Sequence, residues 1–209
     1  MRLNRPFTRV LAVLAFAVAS ISCGDVSRSG RSPVYLVVNQ LVAKQGHNGT
    51  DSGTLFSDVI TIVTSPAPCS VAAPCPTVFN DVGTVTLTTV PKNVGTDTPA
   101  APTSNNDVTI TRYHVRYRRS DGRNVEGVDV PYAWDGAVTG TVPVGGTLQL
   151  GFEIVRHTAK EESPLVELKA NSGIISTICD VTFYGQDQVG NEINTTGSIT
   201  IDFGNFGDQ

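Results

Sequence analysis

The sequence predicts an all-β protein, a sandwich of about seven to ten strands behind an N-terminal signal helix and a flexible tether. Three observations carry that prediction. From position 34 onward the apolar residues repeat mostly at every second place, the spacing that turns one face of an extended strand inward. Twenty glycines and twelve prolines, with one Met, one Trp and many Val, Thr and Ile, favour turns and β-branched residues over helix formers. A chain of 209 residues with 40% hydrophobic and 16% charged side chains is long and apolar enough to bury a core, which argues against disorder throughout.

The first element stands apart from that fold. Arg2, Arg5 and Arg9 make a positive region, and Val10 to Ser22 form a mostly apolar run, so residues 1–22 read as a secretory signal. The run is too short to cross a bilayer comfortably as a helix. Its arginines are not adjacent, which favours the ordinary secretion route over a twin-arginine address. Removing it takes away three of fifteen basic residues and none of nineteen acidic ones, leaving twelve against nineteen. A mature domain that acidic is a poor partner for nucleic acid, and none is expected.

The stretch "SISCG" at Ser20 to Gly24 resembles the processing box of bacterial lipoproteins, in which a small residue precedes a cysteine that receives diacylglycerol and becomes the mature N-terminus. Ser22 and Cys23 match that pattern. Ser20 departs from it, since a Leu-like residue is usual there, and an ordinary signal-peptidase cut nearby is the alternative. The resemblance implies lipidation of Cys23 and a membrane as partner through the N-terminal lipid. It places the chain at the bacterial cell envelope, facing the periplasm or the exterior. Acyl chains make such an anchor stable, because each buried CH₂ contributes about 0.8 kcal/mol. Residues 23–33 then form the lipidated N-terminus and tether: "GDVSRSGRSP" is polar, small and without period.

The domain itself is expected over 34–209 as one unit. "PVYLVVNQLV" (33–42) and "LFSDVITIV" (55–63) are more continuously apolar than the alternating strands but β-rich, with a loop of turn formers between them. A long loop near 64–83 carries Cys69 and Cys75 within "APCSVAAPCP". In an exported chain a local disulfide is the economical reading, although closing so short a loop stabilises less than closing a long one. A metal would want further Cys or His at ligand spacing, and none is near, so no metal is expected. "GTVTLTTV" sets Val85 and Leu87 against Thr84, Thr86 and Thr88. A second long loop is expected near 91–107. A domain boundary there is disfavoured, because 34–90 alone offers about three strands, fewer than a sandwich requires.

In "VTITRYHVRYRRSDG" the apolar phase changes: Val108 and Ile110 lie on one parity, Tyr113, Val115 and Tyr117 on the other. A bulge near Thr111 would keep both sets facing the core. Weaker strands are expected at 128–133, 138–143 and 165–169, with Trp134 in the turn-like "PYAWDG". "GTLQLGFEIV" puts Leu148, Leu150, Phe152 and Ile154 on one face. Cys179, Val181 and Phe183, and later Ile199, Ile201 and Phe203, repeat the alternation, which marks half-buried antiparallel strands. Cys179 is expected to pack as a buried free thiol.

"VTFYGQDQVGNEINTTGSITIDF" is similar to the last hairpin of bacterial immunoglobulin-like and fibronectin type III-like domains, with Asp187, Gly190 and Asn191 at the matching positions of the turn. "ITRYHVRYRRSDG" likewise resembles the central Tyr-rich strand of fibronectin type III modules. The resemblance implies an immunoglobulin-like antiparallel β-sandwich. It covers about a quarter of the chain. No Cys pair stands where an immunoglobulin inter-sheet bridge would, and Thr177 occupies the place of the tyrosine corner, which excludes a true antibody-type domain. The whole chain also resembles small bacterial lipoproteins, a likeness that implies an address and no activity.

Catalytic groups do not converge in the sequence. His47, His114 and His157 lie in no recognised spacing with a serine, a cysteine or a metal partner, and neither G-x-S-x-G nor H-E-x-x-H occurs. No enzyme activity and no cofactor are expected. Period two does place Arg112, His114, Arg116 and Arg118 on one face of a strand. That stripe is a candidate site for an anionic partner, with a solvated face paired to acidic residues of the neighbouring strand as the alternative. The expectation is a membrane-anchored, noncatalytic binding or assembly module for a cell-envelope protein or glycan. A small-ligand or carbohydrate carrier is second, and an enzyme third. An aromatic-lined concave pocket would favour the carrier, a flat exposed patch protein association.

Overall fold

A computed structural model describes residues 30–47, 49–92 and 103–207. The signal segment 1–22, Cys23 with the tether up to residue 29, and most of the second long loop (93–102) lie outside the described residues. Ten strands follow in chain order: β1 (Val34–Lys44), β2 (Thr54–Asp58), β3 (Thr61–Val63), β4 (Cys75–Thr77), β5 (Asp81–Pro91), β6 (Val108–Arg118), β7 (Trp134–Val142), β8 (Thr147–Val155), β9 (Ile175–Asp187) and β10 (Glu192–Gly204). One sheet has the order β1-β5-β8, the other β2-β10-β9-β6-β7, and β3 and β4 form a separate two-stranded ribbon. With β6, β9 and β10 adjacent in one layer and β1 and β5 in the other, this is an immunoglobulin-like β-sandwich.

Alternation sets the faces as the sequence predicts. Val85 and Leu87 of β5, and Leu150, Phe152 and Ile154 of β8, meet Val115, Val181, Phe183, Ile199 and Ile201 of the opposite layer in one buried core. Each such fully buried side chain contributes about 1.5–3 kcal/mol. Gly83 leaves room for the Phe152 ring, because a Cβ there would lie 2.6 Å from Cζ. The register of β6 shifts between Ile110 and Arg112 against both of its neighbours, so the bulge at Thr111 brings Ile110 and Tyr113 alike into the core. Cys179 is a buried free thiol, pushed up from its ordinary value first by burial and then by the nearby Asp180 charge. Cys69 and Cys75 are bridged, with Cα atoms 5.4 Å apart.

Several expectations are corrected. The sandwich is not wholly antiparallel, because the short β2 runs parallel to β10 at the sheet edge. The run 55–63 is two strands: β2 ends at Asp58, whose carboxylate accepts from the Thr61 hydroxyl and breaks the line of the chain. The loop near 64–83 contains β4 and the start of β5. Strand β5 likewise runs on to Pro91, the first residue of the second expected loop. Residues 165–169 are no strand, since Val166–Ala170 is a 3-10 turn that seats Leu168 against the core. Residues 128–133 make a single bridge, Glu126 to Val130, inside a loop. Trp134 is not in a turn. It opens β7, buried edge-on against Tyr113 at 5.4 Å, with the Arg156 guanidinium 4.6 Å from its ring centre.

Pairing gives the sandwich two distinct ends. Val34, Pro91, Val108, Val142, Thr147, Asp187 and Glu192 lie toward one, where the chain enters the first strand. The Asp187 carboxylate there accepts from the Val189 and Asn191 amides at 3.1 and 2.8 Å and from the Asn191 side chain at 2.8 Å, while Gly190 takes φ +85°. That is how an Asp-to-Asn turn closes the last hairpin. Lys44, Asp58, Asp81, Val155, Ile175 and Gly204 lie toward the other end.

At this second end a charged pair is sealed inside. Lys160, 1% exposed, comes from the 3-10 turn His157–Glu161 and reaches Asp81, 0% exposed, at 2.9 Å. The Asp81 carboxylate also accepts from Ser57 Oγ at 2.6 Å and from the Gly46 amide at 3.0 Å. Burial pushes this carboxyl up, and the Lys160 charge with the two hydrogen bonds opposes that. Replacing only one partner leaves a buried charge unpaired. Lys160→Met is expected to lower stability by about 3–5 kcal/mol in urea unfolding, and adding Asp81→Asn should restore most of the loss. A Lys160→Met chain as stable as the parent would contradict the pairing.

Candidate functional site

The basic strand forms as its spacing predicts, on the outer face of the five-stranded sheet. Arg112, His114 and Arg118 are already engaged. Arg112 Nη1 and His114 Nδ1 each lie 3.3 Å from Asp135 Oδ1 on β7, and the Arg112 guanidinium stacks 3.7 Å from the centre of the Tyr184 ring. Arg118 donates to both oxygens of Asp180 at 2.6 and 3.4 Å, and Ser198 Oγ donates to the same carboxylate at 2.6 Å. Arg116 stands opposite Asp180 in the ladder. Arg119 and Arg123, in the following turn, both hold Asp121. Two neighbouring strands thus supply carboxylates to the stripe, as cross-strand pairing favours.

A concave site lies elsewhere, at the end that carries the buried ion pair. A cleft of about 530 Å³ opens between the β1–β2 connection, β2 and the C-terminal segment after β10. Its wall holds Gln45, His47, Thr50, Ser52, Thr54 and Thr61, with Phe56 and Phe206 as aromatic lining. Strand alternation explains Phe56: Leu55 and Ser57 turn inward, so the ring between them faces out and is 57% exposed. Phe206 meets it edge to face, centroids 5.6 Å apart at 82°. Asp58, also in the wall, is buried and accepts from Thr61 Oγ1 at 3.1 Å and from the Phe206 amide at 3.2 Å. His47 stacks on Phe79 at 5.0 Å.

No pattern in the sequence marks the cleft as a site. One signal was present: Leu55 and Phe56 are adjacent, and a strand cannot bury both on one face. The other histidines stay apart from it. His157 pairs through Nδ1 with Asn80 Oδ1 at 2.9 Å, and His114 is on the sheet face. Among the described residues no group of three or more His, Cys, Asp or Glu is placed to hold a metal ion. Cys23 lies outside the described residues. No protein family matches the chain, and no curated protein matches it either.

Asp180 offers a test of the sheet face. Partial burial works to raise its carboxyl, but hydrogen bonds from Arg118 and Ser198, then the Arg118 charge, hold it below the ordinary aspartate value of 3.8. A lowered folded value means the contribution to stability is fully present above the unfolded value and fades as pH falls through the folded one. In Arg118→Gln the Asp180 carboxyl should titrate at higher pH than in the parent, followed by carbon-detected NMR. An unchanged midpoint would show that the ion pair does not form in solution.

Proposed function

We propose that the protein is a lipid-anchored, noncatalytic binding module of the bacterial cell envelope, held by acyl chains on Cys23 and presenting a ligand site at the far end of its sandwich. The observation that carries the reading is the position of the cleft. The chain enters β1 at Val34 on one end of the sandwich, and the cleft lies between the β1–β2 connection and the C-terminal segment on the other. A tether attached at the first end leaves the second facing away from the membrane.

Between a surface for protein association and a carrier of a small ligand or carbohydrate, the second is favoured by one feature: the concavity has an aromatic lining and a wall of hydroxyl and amide groups. The basic stripe supports an anionic partner less well, because Asp135 and Asp180 already face it. A rigid sandwich with its site among end loops suits recognition.

The anchor is tested by mass spectrometry of the mature N-terminus together with membrane fractionation. The parent chain should begin at a diacylglyceryl-modified Cys23 and sediment with membranes, and Cys23→Ala should do neither. An unmodified N-terminus on either side of Cys23 would defeat the anchor.

A further inference from the structure

We propose that the end cleft is a binding subsite for a neutral sugar, with the Phe56 ring as the platform for a pyranose face. The inference rests on the reading of the protein as a ligand-binding module. Its chemistry is that of the wall. Among the described residues no Lys or Arg lines the cleft and its one histidine, His47, stacks on Phe79, so a phosphate or carboxylate ligand would meet no permanently charged cation there. Among the described residues Asp58 is the one carboxylate of the lining, and it is buried and already holds the Thr61 hydroxyl and the Phe206 amide, which leaves it poorly placed as a counter-ion for a cationic ligand.

The other polar groups the cleft presents are neutral. Gln45, Thr50 and Thr54 bring an amide and two hydroxyls that make no side-chain hydrogen bond among the described residues. An apolar ligand would strip water from these groups without replacing its hydrogen bonds, at a cost of about 1–3 kcal/mol for each group buried. A purely polar ligand would leave the exposed Phe56 ring in water. A sugar ring satisfies both demands, since one face is made of C–H groups and its rim of hydroxyls that donate and accept. Phe206, edge-on to Phe56, fixes the plane of the platform. The buried Asp81 accepts from Ser57, between Phe56 and Asp58 in the chain, and from Gly46, between Gln45 and His47, so these segments of the wall are held before a ligand arrives. The cleft volume of about 530 Å³ is in the range of small-ligand sites.

The test is calorimetric titration of the full chain, in detergent, with maltotriose, cellotriose, chitotriose and laminaritriose, and with a uronic-acid trisaccharide as the charged counterpart. At least one neutral trisaccharide is expected to bind saturably. Phe56→Ala, at an exposed position that unfolds nothing, should weaken it about tenfold. Thr54→Val, which keeps the shape and removes the hydroxyl, should weaken it too, and Arg116→Gln on the sheet face should leave it unchanged. No binding of any neutral sugar at about 10 mM overturns the proposal, as does binding that Phe56→Ala leaves intact or a preference for the charged sugar. If no sugar binds but Phe56→Ala abolishes association with an envelope protein, the sugar subsite is wrong and the binding module stands.

Discussion

The buried Asp81 carboxylate, paired with Lys160, ties together four segments, among them β2 of the opposite sheet. Lys160 comes from the turn after β8, Asp81 begins β5, Ser57 belongs to β2, and Gly46 lies in the connection between β1 and β2. A buried carboxylate that holds a cation and two further donors leaves little freedom to any of them. Such a pair need not add to stability over an apolar replacement, but it is costly to break from one side, and it fixes which segments meet. Here it fixes the end of the sandwich where the cleft is.

The rest of the architecture follows from the division between the two ends. At the end where the chain enters, the Asp187 turn shuts β9 onto β10, and the Val144 amide donates to Asp107. The other end carries the disulfide-closed segment and two 3-10 turns, and the cleft opens there between the β1–β2 connection, β2 and the segment after β10. The outer face of the five-stranded sheet is polar and internally paired. The cleft instead couples an exposed ring to hydroxyl groups that make no side-chain hydrogen bond among the described residues, which is why it carries the functional reading.

Much of this fold is legible in the sequence because strands with one buried face write themselves as alternation. Val85 with Leu87, Leu150 with Phe152, and Val181 with Phe183 all turn inward as their spacing predicts, and the parity change around Thr111 marks a real bulge. Alternation fails where burial is decided by distant partners. Lys160 sits in "HTAKEE", which reads as a solvated turn, and only Asp81 from a strand far away in the chain makes its burial tolerable. Trp134 begins a strand because Tyr113 and Arg156 enclose it, and neither is near it in sequence. The cleft was hidden for the same reason: Gln45, Phe56 and Phe206 are brought together by the parallel pairing of β2 with β10, which no local pattern announces. The basic stripe is legible in its placement, and its pairing to acidic residues of a neighbouring strand is one of the two readings its spacing offers; that Asp135 and Asp180 are the partners is set by strand order, which spacing does not give.

The amide of Gly46 reports on the central constraint most directly, since its acceptor is the buried Asp81 carboxylate and it lies in a connection rather than a ladder. Native-state hydrogen exchange of the full chain measures it. If the ion pair holds this end of the sandwich, the Gly46 amide exchanges as slowly as core amides such as those of Val85 and Phe152. Exchange as fast as that of the exposed turn at Gly122 would contradict the account.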